Sequence, residues 1–175
     1  MPIKSLIRTI PHYPRDGVMF RDITTLLRDS EGFRLAISQL VARYKDMKID
    51  KVAGIEARGF IIGSAIASHL GTGFIPVRKA NKLPGEKVGQ EYALEYGVDR
   101  LELHVDAVSR GDRVLLVDDL IATGGTAEAS IMLIEQLGGQ IVETCFVIDL
   151  PDLGGRARIE GMGHKVFALC EFEGD

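Results

Sequence analysis

The stretch from Val114 to Thr126 restricts the possible folds of this chain more than any other. It opens with the apolar run Val114–Val117, which suits a strand buried on both faces of a sheet. Two adjacent carboxylates, Asp118 and Asp119, stand where that strand should end, and a loop with a glycine pair between two threonines follows. Residues 127–137 then carry apolar side chains at helical spacing. This order predicts an anion-binding cradle between a buried strand and a helix start.

Composition narrows the class of protein. A length of 175 residues with 46% apolar and 26% charged side chains fits a single globular domain over residues 1–175. A net charge of −4 argues against general nucleic-acid binding. No apolar window approaches the length of a membrane span. Cys145 and Cys170 lie in apolar surroundings without metal-ligand spacing, which is typical of core thiols in a reducing compartment, so we expect a cytoplasmic protein without a membrane partner.

Strand and helix patterns alternate along the chain, which indicates an α/β fold with a mostly parallel sheet. Residues 2–9 suggest a short helix, and 11–24 contain too many turn formers for a regular element. Ser30 is the expected N-cap of a long helix, and Pro76 predicts that the strand at 74–77 is short or at an edge. The remaining predicted strands are 51–55, 101–105, 114–117, 141–150 and 165–170, the remaining helices are 61–70 and 127–137, and 151–155 is a predicted loop.

Residues 78–97 differ from the rest because they are basic and rich in turn formers. Four cations accompany Pro84, Gly85 and Gly89 in this segment. Long segments of this kind are often lids or binding loops, although a solvated hairpin is an equally ordinary explanation.

The predicted sheet brings polar chemistry to the carboxyl ends of its strands, where open α/β sheets bind ligands. Backbone N–H groups of 122–126 can converge on a phosphate, and the glycines permit the close approach. The chain contains neither a Walker A loop nor a Rossmann GxGxxG motif. Asp118 and Asp119 would repel a phosphate, but they suit the hydroxyls of a ribose diol or a hydrated Mg²⁺. Helix capping is the alternative, for which one carboxylate is enough.

Residues 114–126 resemble the signature with which type I phosphoribosyltransferases bind 5-phosphoribosyl 1-diphosphate (PRPP). Further segments resemble the members of that family that act on adenine, and the match covers nearly the whole chain in the right order; these segments are 14–23, 56–60, 78–79 with 82–85, and 94–97. The resemblance implies the type I phosphoribosyltransferase fold, a central mostly parallel sheet flanked by helices. It also implies a small N-terminal hood at 1–30 that contributes to the adenine site, and a flexible catalytic loop at 78–97.

The activity that the resemblance implies is transfer of the phosphoribosyl group of PRPP to N9 of adenine, giving AMP and pyrophosphate in purine salvage. The family also implies Mg²⁺ as cofactor, bound through PRPP and by water to Asp118 and Asp119, and a homodimer. A phosphoribosyltransferase for a 6-oxopurine or orotate is an alternative. A non-catalytic PRPP-sensing module is another, although this acidic chain has no recognisable helix-turn-helix or basic patch.

The same resemblance assigns the donor site. The 5′-phosphate is expected on Ala122, Thr123, Gly124, Gly125 and Thr126, and the ribose hydroxyls on Asp118 and Asp119. The pyrophosphate is expected on a loop in which the family often has a non-proline cis peptide, and on three cations that follow it: Glu56, Ala57, Arg58 and Gly59, with Arg78, Lys79 and Lys82. Arg58 could otherwise be an ordinary surface residue at a helix start, but a guanidinium beside a strand end suits pyrophosphate better.

The adenine site is expected between the hood and the end of a long strand. Phe20 would stack on the base, Leu150 would cover its other face, and backbone groups of Met19 and Arg21 would read its polar edge. A main-chain donor and acceptor can distinguish a 6-amino from a 6-oxo group, because the wrong base leaves buried polar groups unpaired. Simple core packing is the alternative for Phe20.

Catalysis is assigned to Arg58, Glu95, Asp118 and Asp119. The transition state should resemble an oxocarbenium ion, which the two aspartates would stabilise electrostatically. Glu95 is the expected acid for proton handling at adenine, and Tyr96 would position the loop or the ribose. An ordinary exposed glutamate is the alternative for position 95.

Overall fold

The computed structural model describes residues 2–94 and 96–174. The strands of this part of the chain are β1 (Arg8–Pro11), β2 (Met19–Asp22), β3 (Lys51–Ile55), β4 (Gly73–Lys79), β5 (Lys87–Ala93), β6 (Val98–His104), β7 (Arg113–Ile121), β8 (Gln140–Asp149) and β9 (Val166–Glu171). The helices are α1 (Thr24–Arg28), α2 (Ser30–Tyr44), α3 (Arg58–Leu70), α4 (Gly125–Gln136) and α5 (Gly155–Gly161), with 3-10 turns at Ile3–Leu6 and Pro151–Leu153.

Seven strands form the main sheet in the order β5-β6-β4-β3-β7-β8-β9. β4, β3, β7, β8 and β9 are parallel, and β6 and β5 add an antiparallel hairpin at one edge. The predicted mostly parallel α/β sheet is therefore confirmed. β1 and β2 pair separately as a two-stranded sheet.

The apolar run of β7 separates two cores. Leu115 and Val117 belong to the core that contains α2 and α3, whereas Val114 and Leu116 belong to the core that contains α4. All four side chains are fully buried, because successive residues of a strand face opposite sides of a sheet that is covered twice. This double burial fixes where β7 ends and therefore where the acidic pair lies.

A buried polar cluster joins α2 to β8. Glu143, 3% exposed, accepts hydrogen bonds from Arg43 Nε and Nη2 at 2.7 and 2.8 Å and from the Tyr44 hydroxyl at 2.7 Å. Burial raises the pKa of Glu143, but these donors outweigh it and hold the pKa below its usual value. The carboxylate is thus kept charged inside the protein by full hydrogen bonding.

Several boundaries differ from the sequence prediction. Residues 8 and 9 lie in β1 rather than in a helix, and 19–22 form β2 within the stretch expected to be irregular. Asp29, not Ser30, caps α2, since its Oδ1 accepts from Gly32 N at 2.6 Å. The predicted loop at 151–155 instead leads through a 3-10 turn into α5.

The 78–97 segment is not a structureless loop. It contains the end of β4 and the whole of β5, which pairs with β6 as a hairpin, so the alternative of a hairpin describes it better. The prediction that the strand at 74–77 is short or at an edge is wrong: β4 has seven residues and lies between β3 and β6, which is possible because β6 pairs with it only at Arg78 and Lys79, beyond Pro76. No helix in the described part of the chain is long and apolar enough to cross a membrane.

Candidate active site

The carboxyl end of β7 opens into a cavity of about 290 Å³. Its walls are Arg58, the acidic pair, the loop and the start of α4, with Tyr92, Ala93 and Leu94 of the hairpin opposite. β7 continues through the acidic pair to Ile121, so Asp118 and Asp119 lie within the strand rather than after it. Both are buried, at 9% and 4% exposure.

Arg58 holds the acidic pair from the start of α3. Its Nε donates to Asp119 Oδ2, while Asp118 Oδ1 accepts from the backbone N–H of Asp119 at 2.8 Å. Burial and the charge of Asp119 raise the pKa of Asp118 well above its usual value. Burial lowers the pKa of Arg58, but the neighbouring carboxylates outweigh it and raise that pKa. Neither aspartate caps a helix, because the N-cap of α4 is Gly124.

Residues 122–126, which we call the phosphate loop, connect the acidic pair to α4. Gly124 has φ +81°, a backbone conformation that residues other than glycine rarely adopt, and Gly125 begins the helix. The first N–H groups of a helix have no acceptor within it, so Gly125, Thr126 and Ala127 offer donors to the cavity that they line. All five loop residues predicted for the phosphate are thus brought to one cavity.

The segment 56–59 passes directly beside the acidic pair. The Glu56–Ala57 peptide bond is cis, a feature that the family often has in this loop. A Cβ on Gly59 would lie 2.8 Å from the Val117 carbonyl and 2.9 Å from Asp118 Oδ1, so only glycine allows this approach. The close packing of α3 on β7 is what places Arg58 over Asp119.

Glu56 binds the end of β4. Its Oε2 accepts from Lys79 N at 2.9 Å and from Arg78 Nε at 3.3 Å, and Arg78 Nη1 donates to the Lys82 carbonyl at 3.1 Å. Burial raises the pKa of Glu56, but these donors and the charges of Arg78 and Lys82 lower it overall. Of the three predicted cations, the Arg78 guanidinium therefore lies directly against Glu56, whereas the Lys79 ammonium pairs with Asp99 at 3.7 Å and Lys82 reaches the cluster through its carbonyl.

A second cavity, of about 600 Å³, adjoins the first. Met19, Phe20, Arg21 and Leu150 all line it, as predicted for the base, and it shares Arg58, Leu120, Ala122 and Thr123 with the first cavity. The Phe20 ring is only half-buried and meets Tyr13 edge-on at 5.2 Å, which does not fit simple core packing. The Arg21 side chain is engaged elsewhere, donating to Thr9 Oγ1 at 2.7 Å and lying 4.7 Å from the Phe172 ring.

Of the two hairpin residues predicted for the site, Glu95 and Tyr96, the structure describes only Tyr96. Glu95 lies outside the described residues, so its predicted role stays a prediction. Tyr96 is 81% exposed and is not among the residues that line either cavity. Sequence reasoning missed Tyr92, a buried aromatic side chain in β5 that lines the first cavity and whose hydroxyl donates to Asp99 at 3.0 Å. It also missed Arg158 of α5, which contacts the phosphate loop, because a short helix after two glycines has little periodic signal.

The model of the phosphoribosyl transferase domain family matches residues 25–160, which include β3 to β8, the acidic pair and the phosphate loop. The chain therefore belongs to the phosphoribosyltransferase family.

Individual relatives indicate to which branch of this family the chain belongs. The chain is 68% identical to an adenine phosphoribosyltransferase of Nitrosospira multiformis over the full length of both, and 61% identical to that of Nitrosomonas europaea over 99% of both. Among solved structures it is similar to the adenine phosphoribosyltransferase of Rhodothermus marinus, with 48% identity, TM-score 0.91 and coverage of 97% and 96%. The Saccharomyces cerevisiae enzyme, complexed with an imino-altritol bisphosphate and adenine, gives 39% identity, TM-score 0.90 and 96% coverage of both chains. Within its family, the chain belongs to the adenine phosphoribosyltransferases.

Proposed function

We propose that the protein transfers the 5-phosphoribosyl group of PRPP to N9 of adenine, giving AMP and pyrophosphate in purine salvage. The observation that carries this proposal is the pair of adjoining cavities, one lined by the acidic pair and phosphate loop, the other mostly apolar. A ribose in the first and a base in the second would meet where the two cavities share Arg58, Leu120, Ala122 and Thr123. The similar yeast structure contains adenine and a bisphosphate, which supports the same assignment.

The phosphate loop is proposed to hold the 5′-phosphate through its backbone N–H groups and the hydroxyls of Thr123 and Thr126. Asp118 and Asp119 would accept hydrogen bonds from the ribose hydroxyls. Asp119 is paired with Arg58, so a ribose diol would share that carboxylate with the guanidinium. Arg58 would thereby gain freedom to reach the adjacent pyrophosphate.

The pyrophosphate is proposed to lie beside segment 56–59, with Arg58, Arg78, Lys79 and Lys82 offsetting its charge. The hydrogen bonds that Glu56 accepts from Arg78 Nε and Lys79 N support this, because they fix the Arg78 guanidinium and the backbone of Lys79 next to that segment. Cations held in advance at the leaving group lower the barrier without reorganisation during the reaction.

The bond from C1′ to the pyrophosphate oxygen breaks as the bond to N9 forms, and positive charge grows on the ribose. Asp118 and Asp119 are proposed to stabilise that charge, and their burial would strengthen the interaction. Adenine has to lose a proton as the bond to N9 forms, and Glu95 is proposed to handle that proton at N7 or through a bridging water.

Mg²⁺ is proposed as the cofactor. In the described residues no group of three or more His, Cys, Asp or Glu side chains could hold a metal, and the acidic pair alone supplies two carboxylates. This donor set fits an ion that arrives with PRPP and keeps most of its ligands as phosphate and water oxygens. When bound, it would neutralise charge on the leaving pyrophosphate.

Adenine is proposed to stack on Phe20 and lie under Leu150, with the backbone of Met19 and Arg21 reading its polar edge. The contacts of the Arg21 side chain with Thr9 and Phe172 support a main-chain role for this residue.

The test is a base-by-base assay with PRPP and Mg²⁺, in which AMP formation from adenine is compared with product formation from guanine, hypoxanthine and orotate. We expect rapid turnover with adenine alone. Comparable turnover of a 6-oxopurine or orotate would replace this proposal with the broader family activity. Salt-dependent binding of nucleic acid with no turnover of any base would favour a PRPP-sensing module instead.

We further propose a homodimer in the cytoplasm. Ile61 of α3 is 45% exposed, and a neighbouring apolar groove is lined by Phe33, Ile37 and Ala65 of α2 and α3. A second copy could cover this surface, and analytical ultracentrifugation of the wild type and of Ile61→Glu would test it, with a monomeric wild type contradicting the dimer.

The free thiols of Cys145 and Cys170 suit a reducing compartment such as the cytoplasm, which cell fractionation would test.

A further inference from the structure

Helix α5 packs directly against the phosphate loop. Gly155 N donates to the carbonyl of Ala122 at 2.9 Å, and a Cβ on Gly155 would lie 2.3 Å from that oxygen. A Cβ on Gly124 would likewise lie 3.1 Å from the Cα of Gly155. The backbones of loop and helix therefore touch, and side chains of α5 can act on the loop.

Arg158 is the α5 side chain that reaches the loop. Its Nη1 donates to the carbonyl of Thr123 at 3.4 Å and lies 3.8 Å from the position that a Cβ on Gly125 would take. Its Nη2 forms an ion pair with the Glu128 carboxylate. The guanidinium thus lies beside the start of α4, between the loop and Glu128.

Glu128 places a negative charge beside the proposed phosphate site, and the ion pair with Arg158 offsets that charge. It lies in the first turn of α4, where the helix dipole favours a carboxylate. The same helix start is the proposed site of the 5′-phosphate, and two anions at one helix N-terminus repel each other. The side chains of Arg158 and Glu128 are 43% and 29% exposed, so the carboxylate is not fully screened by solvent.

We propose that Arg158 is a positioning residue for the 5′-phosphate of the substrate. Its guanidinium fixes the Thr123 carbonyl and neutralises Glu128, so that the loop accepts a phosphate dianion. The inference rests on the proposed function, since it deepens the assignment of residues 122–126 as the phosphate site. It concerns binding of the phosphate group and not recognition of the base.

Calorimetric titration with AMP and with adenine separates binding of the phosphate group from recognition of the base. Steady-state kinetics gives the KM for PRPP. Arg158→Ala should raise the Kd for AMP and the KM for PRPP by about tenfold, the scale of one lost charge-assisted contact. The Kd for adenine should stay within about twofold, because adenine has no phosphate. Arg158→Lys should recover most of the AMP affinity, since it restores the positive charge.

The variant Glu128→Gln provides a second test in the same AMP titration. Alone, it removes the competing anion and should tighten AMP binding; combined with Arg158→Ala, it should restore part of the lost affinity. Arg110→Ala is the matched control, because it removes the same charge from an exposed residue that precedes β7, at the opposite end of that strand.

Unchanged AMP affinity in Arg158→Ala would overturn the inference, as would a double variant no better than the single one. Equal losses of AMP and adenine affinity would also overturn it, since they indicate a general structural defect. If Arg158→Ala does not fold, Glu128→Gln decides alone, and weaker AMP binding in that variant contradicts the inference. A wild-type protein that makes no AMP would refute the proposed function, whereas an active wild type with insensitive Arg158 variants refutes only the role of Arg158.

Discussion

Asp118 and Asp119 are neighbours in sequence but lie in different environments. Asp119 forms an ion pair with Arg58, whereas Asp118 accepts a backbone N–H and packs against Gly59. The burial and the neighbouring charge that raise the pKa of Asp118 are therefore properties of the folded strand end. Changes at the two positions should have different consequences.

Replacing Asp119 by Asn should lower kcat strongly while leaving the fold intact. The amide keeps the shape of the side chain but removes the charge proposed to stabilise the transition state, so we expect a loss of about a hundredfold. Single-turnover assays measure the loss, and circular dichroism with thermal unfolding serves as the control for folding. Unchanged turnover would mean that the acidic pair has a structural role only.

The pH dependence of kcat/KM should report the ionisation of the Asp118 carboxyl group. If its ionised form is required, activity falls as the pH drops through its raised pKa, so the acid limb should lie above the range of an ordinary aspartate. In Asp119→Asn the repelling charge is gone, which lowers the pKa of Asp118 and should move the limb to lower pH. A limb that stays in place would assign the profile to another group.

The sequence predicted that the acidic pair and the phosphate loop would lie together, because these residues are close in the chain. Asp118, Asp119 and the phosphate loop are contiguous, so their juxtaposition needs only a strand followed by a helix. The bonds from Glu56 to Arg78 and Lys79 join residues 22 and 23 positions apart. Such contacts depend on the pairing of β3 with β4, and no spacing in the sequence predicts them.

At the scale of elements, the packing of α3 on β7 places segment 56–59 beside the acidic pair. Gly59 and Gly54 both allow this approach, since a Cβ on Gly54 would lie 2.7 Å from the Gly59 carbonyl. The helix start and the strand end are therefore coupled through backbone contact, which resists adjustment more than contact between flexible side chains does.

Gly59→Ala should lower both stability and activity. The added methyl group would contact the Val117 carbonyl and Asp118, so we expect a loss of about 1–3 kcal/mol in the free energy of unfolding. Urea denaturation measures it. Gly73→Ala is the matched control, because nothing lies within 4 Å of its Cβ position, and it should change stability by less than about 0.5 kcal/mol. Equal effects of the two substitutions would contradict the packing argument.

Short elements were the part of the fold that sequence patterns could not predict. β2 has four residues and α5 has seven, too few for a helical or alternating period to emerge. The β5–β6 hairpin was expected as one of two alternatives only, because its glycines and lysines also suit a loop. Each of these elements borders the site, so the sequence predicted the sheet better than the cavity walls.

Across the whole molecule, the structure separates groups that hold the fold from groups that line the cavities. The Arg43–Glu143–Tyr44 cluster fastens α2 to the amino-terminal half of β8, whereas Leu150, which follows β8, lines the larger cavity. Stability and activity should therefore respond to different substitutions.

Tyr44→Phe should destabilise the protein without altering catalysis. It removes the hydroxyl that donates to buried Glu143, so we expect a loss of about 2 kcal/mol in unfolding free energy. KM and kcat should remain within about twofold, because the two sites are separate. Tyr96→Phe, at an 81% exposed position, is the stability control. A large change in KM for adenine would contradict this separation.

The two cavities have a consequence for how such a chain could diversify. The hood strand β2 pairs with β1 and not with the main sheet, and it lines only the larger cavity, together with Leu150 and Leu153. If the cavities hold base and sugar donor as proposed, choice of acceptor and handling of the donor are encoded mainly in different parts of the polypeptide. Grafting a different hood onto the same β7 strand should redirect the enzyme to another base while its donor chemistry stays the same, but a change at Arg58, Leu120, Ala122 or Thr123, which line both cavities, should alter both at once.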